Sequence, residues 1–432
     1  TLYGIFMRAT KLFPLLLFPL LTACLGNTPG APVPPGGEEG PTYYTEVKPI
    51  LETYCTRCHN EAGQGPGNFL DAETVIEMGE MIAGVTAAGL MPPPAADPDC
   101  SDYEGSERFT MTDEAITTLG SWVDAGKPLG DQEQAVDVVP WELDIEDADT
   151  IFEMSHAYAP TFSDPNNPGN EYRCFVLENN RTEPFFVTDF APILGVPEIV
   201  HHIVVFLKDK DDNIAGYDEE TGVDCINNVA VGAERMLAAW APGLLPVRLP
   251  EGRGIQIRPN QELVIQMHYF DNGSYDGTPD LSGYAMKTVQ DVDIPLLLIP
   301  VGANGFTIPA GDDSYTHSDS FSLPDGVSGK IYTAFPHMHI LGSGYELAVE
   351  HADGSESCVV RGDAYDFDNQ LSYQLLDPVS VQGGETIRQT CTWNNSESNP
   401  DLIHFPPINT GYGERTDEEM CFTFILASLF EF

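Results

Sequence analysis

Three rhythms of hydrophobic and polar residues follow one another along this chain. An unbroken apolar stretch of ten residues runs from Leu12 to Leu21. It is too short to cross a bilayer as a helix, which takes about 20 residues. The segment Tyr44 to Tyr54 then carries its apolar residues at helical spacing and predicts an amphipathic helix. Met78 and Met81 lie on a second helical stretch, where methionine commonly fills core gaps. Beyond residue 150 the texture changes: CFVL, HHIVVFL, ELVIQMHY, KIYTAF and CFTFILASLF are short alternating runs separated by Gly, Pro, Asn and Asp turns. Regular short strands of this kind predict β-sandwiches. The expected fold is multidomain: a small all-α domain over residues 42–130, then two all-β, jelly-roll-like sandwiches over 151–290 and 291–432. An acidic linker, 131–150, joins them. A length of 432 residues accommodates two or three such domains.

The first rhythm gains meaning from its flanks. Met7, Arg8 and Lys11 precede or open the apolar run, and Leu21-Thr22-Ala23-Cys24 closes it. A basic start, an apolar core and small residues before a cleavage point make a signal peptide over residues 7–24. The six residues ahead of Met7 read as an over-extended reading frame. Cys24 sits as in a bacterial lipoprotein box, where the cysteine becomes the acylated first residue. Several acyl chains, at about 0.8 kcal/mol per buried methylene, make a durable anchor. An ordinary secretory signal with an incidental cysteine is the alternative. Leu25 is not acidic, so the resemblance implies sorting towards the outer membrane, with the protein in the periplasm or at the cell surface. Residues 25–41, rich in Gly and Pro, form a flexible tether.

Charge narrows the partners. Against 67 acidic residues stand 19 basic ones, a formal net charge of -48. Such a surface repels nucleic acid and anionic headgroups, leaving the lipid anchor as the expected membrane contact. It also favours solubility in salty water.

Cys55-Thr56-Arg57-Cys58-His59 is the c-type haem attachment pattern. Two thiols a helical turn apart can add to the two haem vinyl groups, and the adjacent imidazole ligates iron from one face. A zinc half-site would need a second Cys or His pair nearby, and none follows within the domain. The sixth ligand is sought later in the segment. Met91 opens Met91-Pro92-Pro93-Pro94, where prolines hold a loop rigidly. With VKPILETYCTRCHNEAG, GLMPPP and a closing LGSWVDAGKP helix, this segment resembles small c-type cytochromes, a resemblance that assigns Met91 as the axial ligand. A Met-ligated haem suits electron transfer and not oxygen activation. Cys100, in a polar loop, has no partner legible in the sequence.

Five of the ten histidines fall in three places in the strand-rich region: His201-His202 at the start of one run, His268 in another, and His337-Met338-His339. Residues two apart on a strand share a side, so His337 and His339 can grip one ion together. His201 and His202 would point to opposite sides of a regular strand. For both to bind one metal the strand must end or bulge there. Any one of these histidines, alone, reads as a polar-edge or core residue.

From about Tyr172 to Phe432 the chain resembles the type II copper, ascorbate-dependent monooxygenases, the family of peptidylglycine hydroxylase and dopamine β-hydroxylase. The matching blocks are EYRCFVL, EIVHHIVVF, MLAAWAPGLLPVRLPEGRGIQI, LVIQMHYFD, FPHMHILGSGYEL, QTCTWNNSE and GERTDEEMCF. The resemblance implies two copper sites: His201, His202 and His268 storing an electron in the first sandwich, and His337, His339 and Met420 forming the catalytic site in the second. It places Gln266 near the first site and pairs Cys391 with Cys421. Cys174 and Cys225 match family cysteines whose usual partners are replaced by Lys208 and the stretch around Leu281. Cys174 with Cys225, or either with Cys358, stays open. Where a peptidylglycine hydroxylase anchors a carboxylate, this chain has Phe335, Phe422 and Phe424, which points to an apolar or aromatic substrate. The expectation is a copper monooxygenase that hydroxylates a small molecule with O2, drawing electrons from a periplasmic donor through haem c and the second of two copper ions. The alternative is a non-catalytic surface protein that binds copper or passes electrons.

Overall fold

The computed structural model describes residues 40–431, except 62, 64, 142–143, 164–168, 226–235, 272, 274, 368 and 414. The signal peptide, Cys24 and all but the last two residues of the tether lie outside the described residues.

Near its start the chain forms a helical unit. A π-helical turn over Tyr43–Val47 runs directly into α1, Lys48–Tyr54. Two longer helices follow: α2, Ala72–Ala87, and α3, Asp113–Asp124. Each of these two begins at a side-chain cap, Asp71 accepting from the Thr74 amide and Thr112 from the Ala115 amide, which satisfies donors that the first turn leaves open. Tyr43, Val47, Leu51, Val75, Leu119 and Trp122 make the core between them. Met78 packs against that core, whereas Met81 is 55% exposed and fills no gap. It falls on the outer face of α2, because helical spacing alone does not say which stripe is covered. The acidic stretch after this unit is tied down along its course. The Val136 amide donates to the Tyr44 carbonyl, Asp137 pairs with Lys48, and Asp149 accepts from Thr288.

Residues 150–428 are built of β-strands in two layers. One sheet of nine strands runs the length of this region, and its main path is 150–153, 283–289, 185–193, 253–257, 294–302, 422–428, 329–337 and 373–381. Its two halves join where Arg253–Ile257 pairs in parallel with Ile294–Gly302. A five-stranded sheet (223–224, 170–177, 261–270, 200–209, 236–240) is the second layer of the first half, closing a core around Phe185, Ile203, Ile265, Met267 and Tyr269. A four-stranded sheet (315–322, 386–393, 342–350, 356–362) serves the second half, around Leu347, Val359, Cys391 and Trp393. The sandwiches thus share a continuous layer, a long-range pairing that strand periodicity does not reveal.

Among the described residues, three disulfides staple the fold. Cys391 bonds Cys421, Cys174 bonds Cys225, and Cys100 bonds Cys358, 258 residues away. Among the described residues, Cys55 and Cys58 carry free thiols.

Candidate metal centres

The strand Val200–Asp209 pairs with Gln261–Phe270 so that Val200 faces Tyr269 and His202 faces His268. One residue is left over, and His201 is the extra position of a β-bulge. The local twist turns His201 towards the same place as its neighbour. The Nδ1 atoms of His201 and His202 lie 3.3 Å apart, and those of His202 and His268 3.2 Å. His268 Nε2 donates to Asn170 Oδ1 at 2.7 Å, so its lone pair sits on Nδ1, facing the cluster. Tyr172 stacks on His268 with ring centroids 4.0 Å apart. Burial, then the neighbouring imidazoles, holds His202 and His268 well below the usual histidine range, so both are neutral at physiological pH. Neutral imidazoles converging through one nitrogen suit a cation of the copper or zinc kind.

A second cluster forms at the end of Gly329–His337. Met338 points into the core and is fully buried, so His337 and His339 share the opposite side, with ring centroids 5.2 Å apart. Their Nδ1 protons are engaged: His337 donates to Gln370 Oε1 at 2.7 Å and His339 to the Glu418 carbonyl at 3.1 Å. The lone pairs therefore sit on Nε2. Burial lowers both, His339 to about 3. His337 faces Phe422 across the sheet. Glu418 and Glu419 contact His339, so Met420 lies between Glu419, which touches His339, and Phe422, which pairs with His337. Its strand is braced by the Cys391–Cys421 disulfide.

Glu419 is a residue that sequence reasoning missed. Its buried carboxylate accepts from the amides of Leu341 (2.7 Å), His339 (3.0 Å) and Met420 (3.2 Å) and from Trp393 Nε1 (2.9 Å). Burial pushes it up to about 7, against these hydrogen bonds. It follows Asp417 and Glu418 in an acidic run, so nothing in the sequence set it apart. Gln370 and Asn170, which fix imidazole tautomers, were also missed.

The two clusters lie within electrostatic reach of one another. His337 and His339 are near enough to His202 to depress its basicity further, and Tyr172 hydrogen-bonds Thr416 beside the second cluster. Phe335, Phe422 and Phe424 stand at this junction. Phe424 lies 6.2 Å from His337 and 6.3 Å from Phe335, and Phe422 stacks on Phe424 at 6.1 Å, all centroid to centroid. They pack on the outer side of the five-stranded sheet near Cys174–Cys225. Gln266 turns its amide to the Cys225 carbonyl at 3.3 Å. Lys208, at a position where the resemblance implies a cysteine, is buried, donates to the Asp209 and Asp212 carbonyls and pairs with Glu262.

In the helical unit, His59 Nδ1 donates to the Pro66 carbonyl at 2.9 Å, which places its lone pair on Nε2. Gly65 leaves the imidazole room: a Cβ there would fall 2.7 Å from Nδ1. Met91 is 40% exposed at the head of the proline loop.

Comparison with known proteins bears on this arrangement. Residues 156–274 match the N-terminal domain, and residues 310–427 the C-terminal domain, of the copper type II ascorbate-dependent monooxygenases. Together the matches cover more than half of the chain. Mouse peptidyl-glycine alpha-amidating monooxygenase is 26% identical over 59% of this chain and 25% of its own length. Mouse DBH-like monooxygenase protein 2 is 27% identical over 54% and 39%, and dog dopamine beta-hydroxylase 24% over 55% and 39%. The chain therefore spans less than half the length of these relatives. His201, His202 and His268 fall inside the first matched stretch, and His337, His339 and Met420 inside the second. The chain belongs to the copper type II ascorbate-dependent monooxygenase family.

Proposed function

We propose that this protein hydroxylates an activated C–H bond of a small, apolar or aromatic organic molecule with O2, using two copper ions. The observation that carries this reading is the presence, in a chain of this family, of two neighbouring imidazole clusters, one with its three Nδ1 atoms drawn together and one with both lone pairs left on Nε2. His201, His202 and His268 would hold one ion through Nδ1. His337 and His339 would hold the other through Nε2, with the Met420 thioether. Copper supplies one-electron redox chemistry and reactivity towards dioxygen, and a thioether favours its cuprous state. The protein's own part is to keep its imidazoles neutral, which burial does, and to fix the tautomers of His268, His337 and His339, which Asn170, Gln370 and the Glu418 carbonyl do. Phe335, Phe422 and Phe424 offer an aromatic wall beside His337. A substrate carboxylate placed among those three rings would be buried without a partner, which is costly, so amidation is not the assigned reaction.

Two electrons are needed for one oxygen atom to enter the product and the other to leave as water. Cys55 and Cys58 would attach haem c, with His59 and Met91 as its axial groups, in a cytochrome domain over residues 42–130. A haem so ligated is an electron carrier. The chain is read as exported and anchored through acylated Cys24.

Metal analysis with oxygen uptake tests the reading. The expected result is two coppers and one iron per chain, with uptake that depends on one member of a panel of aromatic and aliphatic amines and alcohols. Copper and haem binding without substrate-dependent uptake would instead support a surface redox or copper-binding protein.

A further inference from the structure

Three polar side chains meet at one end of the four-stranded sheet, and none of them belongs to either imidazole cluster or to the haem motif. His351 follows directly on the strand Gly342–Glu350, Ser357 is the second residue of the edge strand Glu356–Gly362, and Glu385 precedes Thr386–Trp393. His351 Nδ1 lies 2.9 Å from Glu385 Oε1, and His351 Nε2 lies 2.8 Å from Ser357 Oγ. An ionised carboxylate only accepts, so Nδ1 carries the proton and the lone pair of Nε2 is left to accept from the serine hydroxyl. The other oxygen of Glu385 accepts from the Gln382 amide at 2.7 Å. Burial alone would raise this carboxyl, but the Gln382 amide and His351 hold it below the usual range, in the charged form that orients an imidazole.

The turn between the two strands is closed without these side chains. The His351 amide donates to the Ser355 carbonyl and the Gly354 amide to the His351 carbonyl, both at 2.9 Å, while Asp353 accepts from the Ser355 amide. An imidazole bonded both to a serine and to a glutamate beside a third strand is therefore surplus to the hairpin. Its order, carboxylate to imidazole to hydroxyl, is that of an activated nucleophile. Solvent reaches the group: the His351 side chain is 22% exposed and Ser357 is half-buried. The Cys358 carbonyl accepts from Ser101 Oγ at 2.8 Å, which turns this residue's backbone to the outer edge of the sheet. Its amide turns the same way and, directly after the nucleophile, supplies a donor for a developing oxyanion. Asp353 and Glu356 belong to the same hairpin of a strongly acidic chain, which disfavours an anionic acyl group.

We propose that Ser357, His351 and Glu385 form a second reactive site, which transfers the acyl group of a short, uncharged carboxylic ester to Ser357 and then to water. Ser357 Oγ attacks the carbonyl carbon while its proton passes to His351 Nε2. The bond to the leaving oxygen breaks, and the alcohol departs with that proton. Water, giving a proton to His351, then cleaves the acyl–Oγ bond, releasing the acid and restoring the serine. No electron moves, and neither copper nor haem takes part. Glu385 is a positioning residue.

The test uses the purified full chain. Hydrolysis of p-nitrophenyl acetate is followed by absorbance, and the adduct of a fluorophosphonate is located by mass spectrometry of peptides. The expected adduct is on Ser357, and ester hydrolysis should survive treatment with a copper chelator. Ser357→Ala should abolish both reactions. His351→Gln should slow both by about 100-fold or more, the scale of a lost general base. Should thermal unfolding show that His351→Gln does not fold, Ser357→Ala, which removes a single oxygen atom, carries the test. Glu385→Gln should lower the maximal rate without moving the ester concentration at half-maximal rate, and Glu385→Asp should restore part of it. No adduct, an adduct elsewhere, hydrolysis unchanged in Ser357→Ala or hydrolysis lost with the chelator overturns the second site and leaves the proposed hydroxylation standing.

Discussion

The two histidine clusters solve one problem on different ground. The first sits inside a five-stranded sheet, where a bulge brings adjacent His201 and His202 together and the opposite strand supplies His268. Its hydrogen bonds direct Nδ1 inward. The second sits at a strand end, uses alternation to align His337 and His339, and directs Nε2 inward. A sheet interior gives three imidazoles their places through backbone register. A strand end has no such register beyond its last residue, and a buried carboxylate does the work instead: Glu419 gathers the amides of His339, Leu341 and Met420. The first site is held by the ladder, the second by one side chain.

The largest break in this comparison is Met420→Ile. It should abolish substrate-dependent oxygen uptake and halve the bound copper, with the three-histidine site still filled. Uptake retained by this variant would refute the ligand assignment. Next comes Glu419→Leu, which strands several buried donors, each costing about 1–3 kcal/mol. A loss of at least about 3 kcal/mol in denaturant unfolding of the metal-free chain is expected. Glu419→Gln, which keeps an acceptor, should lose less. Asn170→Leu removes the acceptor that fixes the His268 tautomer and should weaken copper at the first site about 10- to 100-fold. A competitive chelator titration would read this change, with the second site unmoved. Smallest is Tyr172→Leu. Losing an aromatic stack is worth about 0.5–1.5 kcal/mol, so a modest stability loss with both coppers retained is expected. If Asn170→Leu weakened both sites equally, the two would not be separately supported.

Much of this arrangement can be read along the chain, because its signals are local. Period-two alternation marks the strand-rich region, and His337-Met338-His339 announces its shared face. That the strand must end or bulge at His201-His202 follows from strand geometry alone. What is not legible depends on distant partners. The parallel join of 253–257 to 294–302, the Cys100–Cys358 bond and the choice of ring nitrogen are set by residues far apart in sequence. Glu419, Gln370 and Asn170 belong to types common on surfaces, and only burial marks them as supports. Met81 teaches the same in reverse: its type suits a core, and its position on α2 exposes it.

The Cys100–Cys358 bond sets an order of events. It encloses the whole first sandwich in a covalent ring whose ends are 258 positions apart, so the helical unit cannot be sealed to its partner until the segment bearing Cys358 has been synthesised and meets oxidising conditions. The helical end is made first and secured late. Once the ring is closed, a single cut anywhere between the two cysteines leaves the helical unit covalently attached to the second sandwich. Reduction of that bond would be required before the fragments could part.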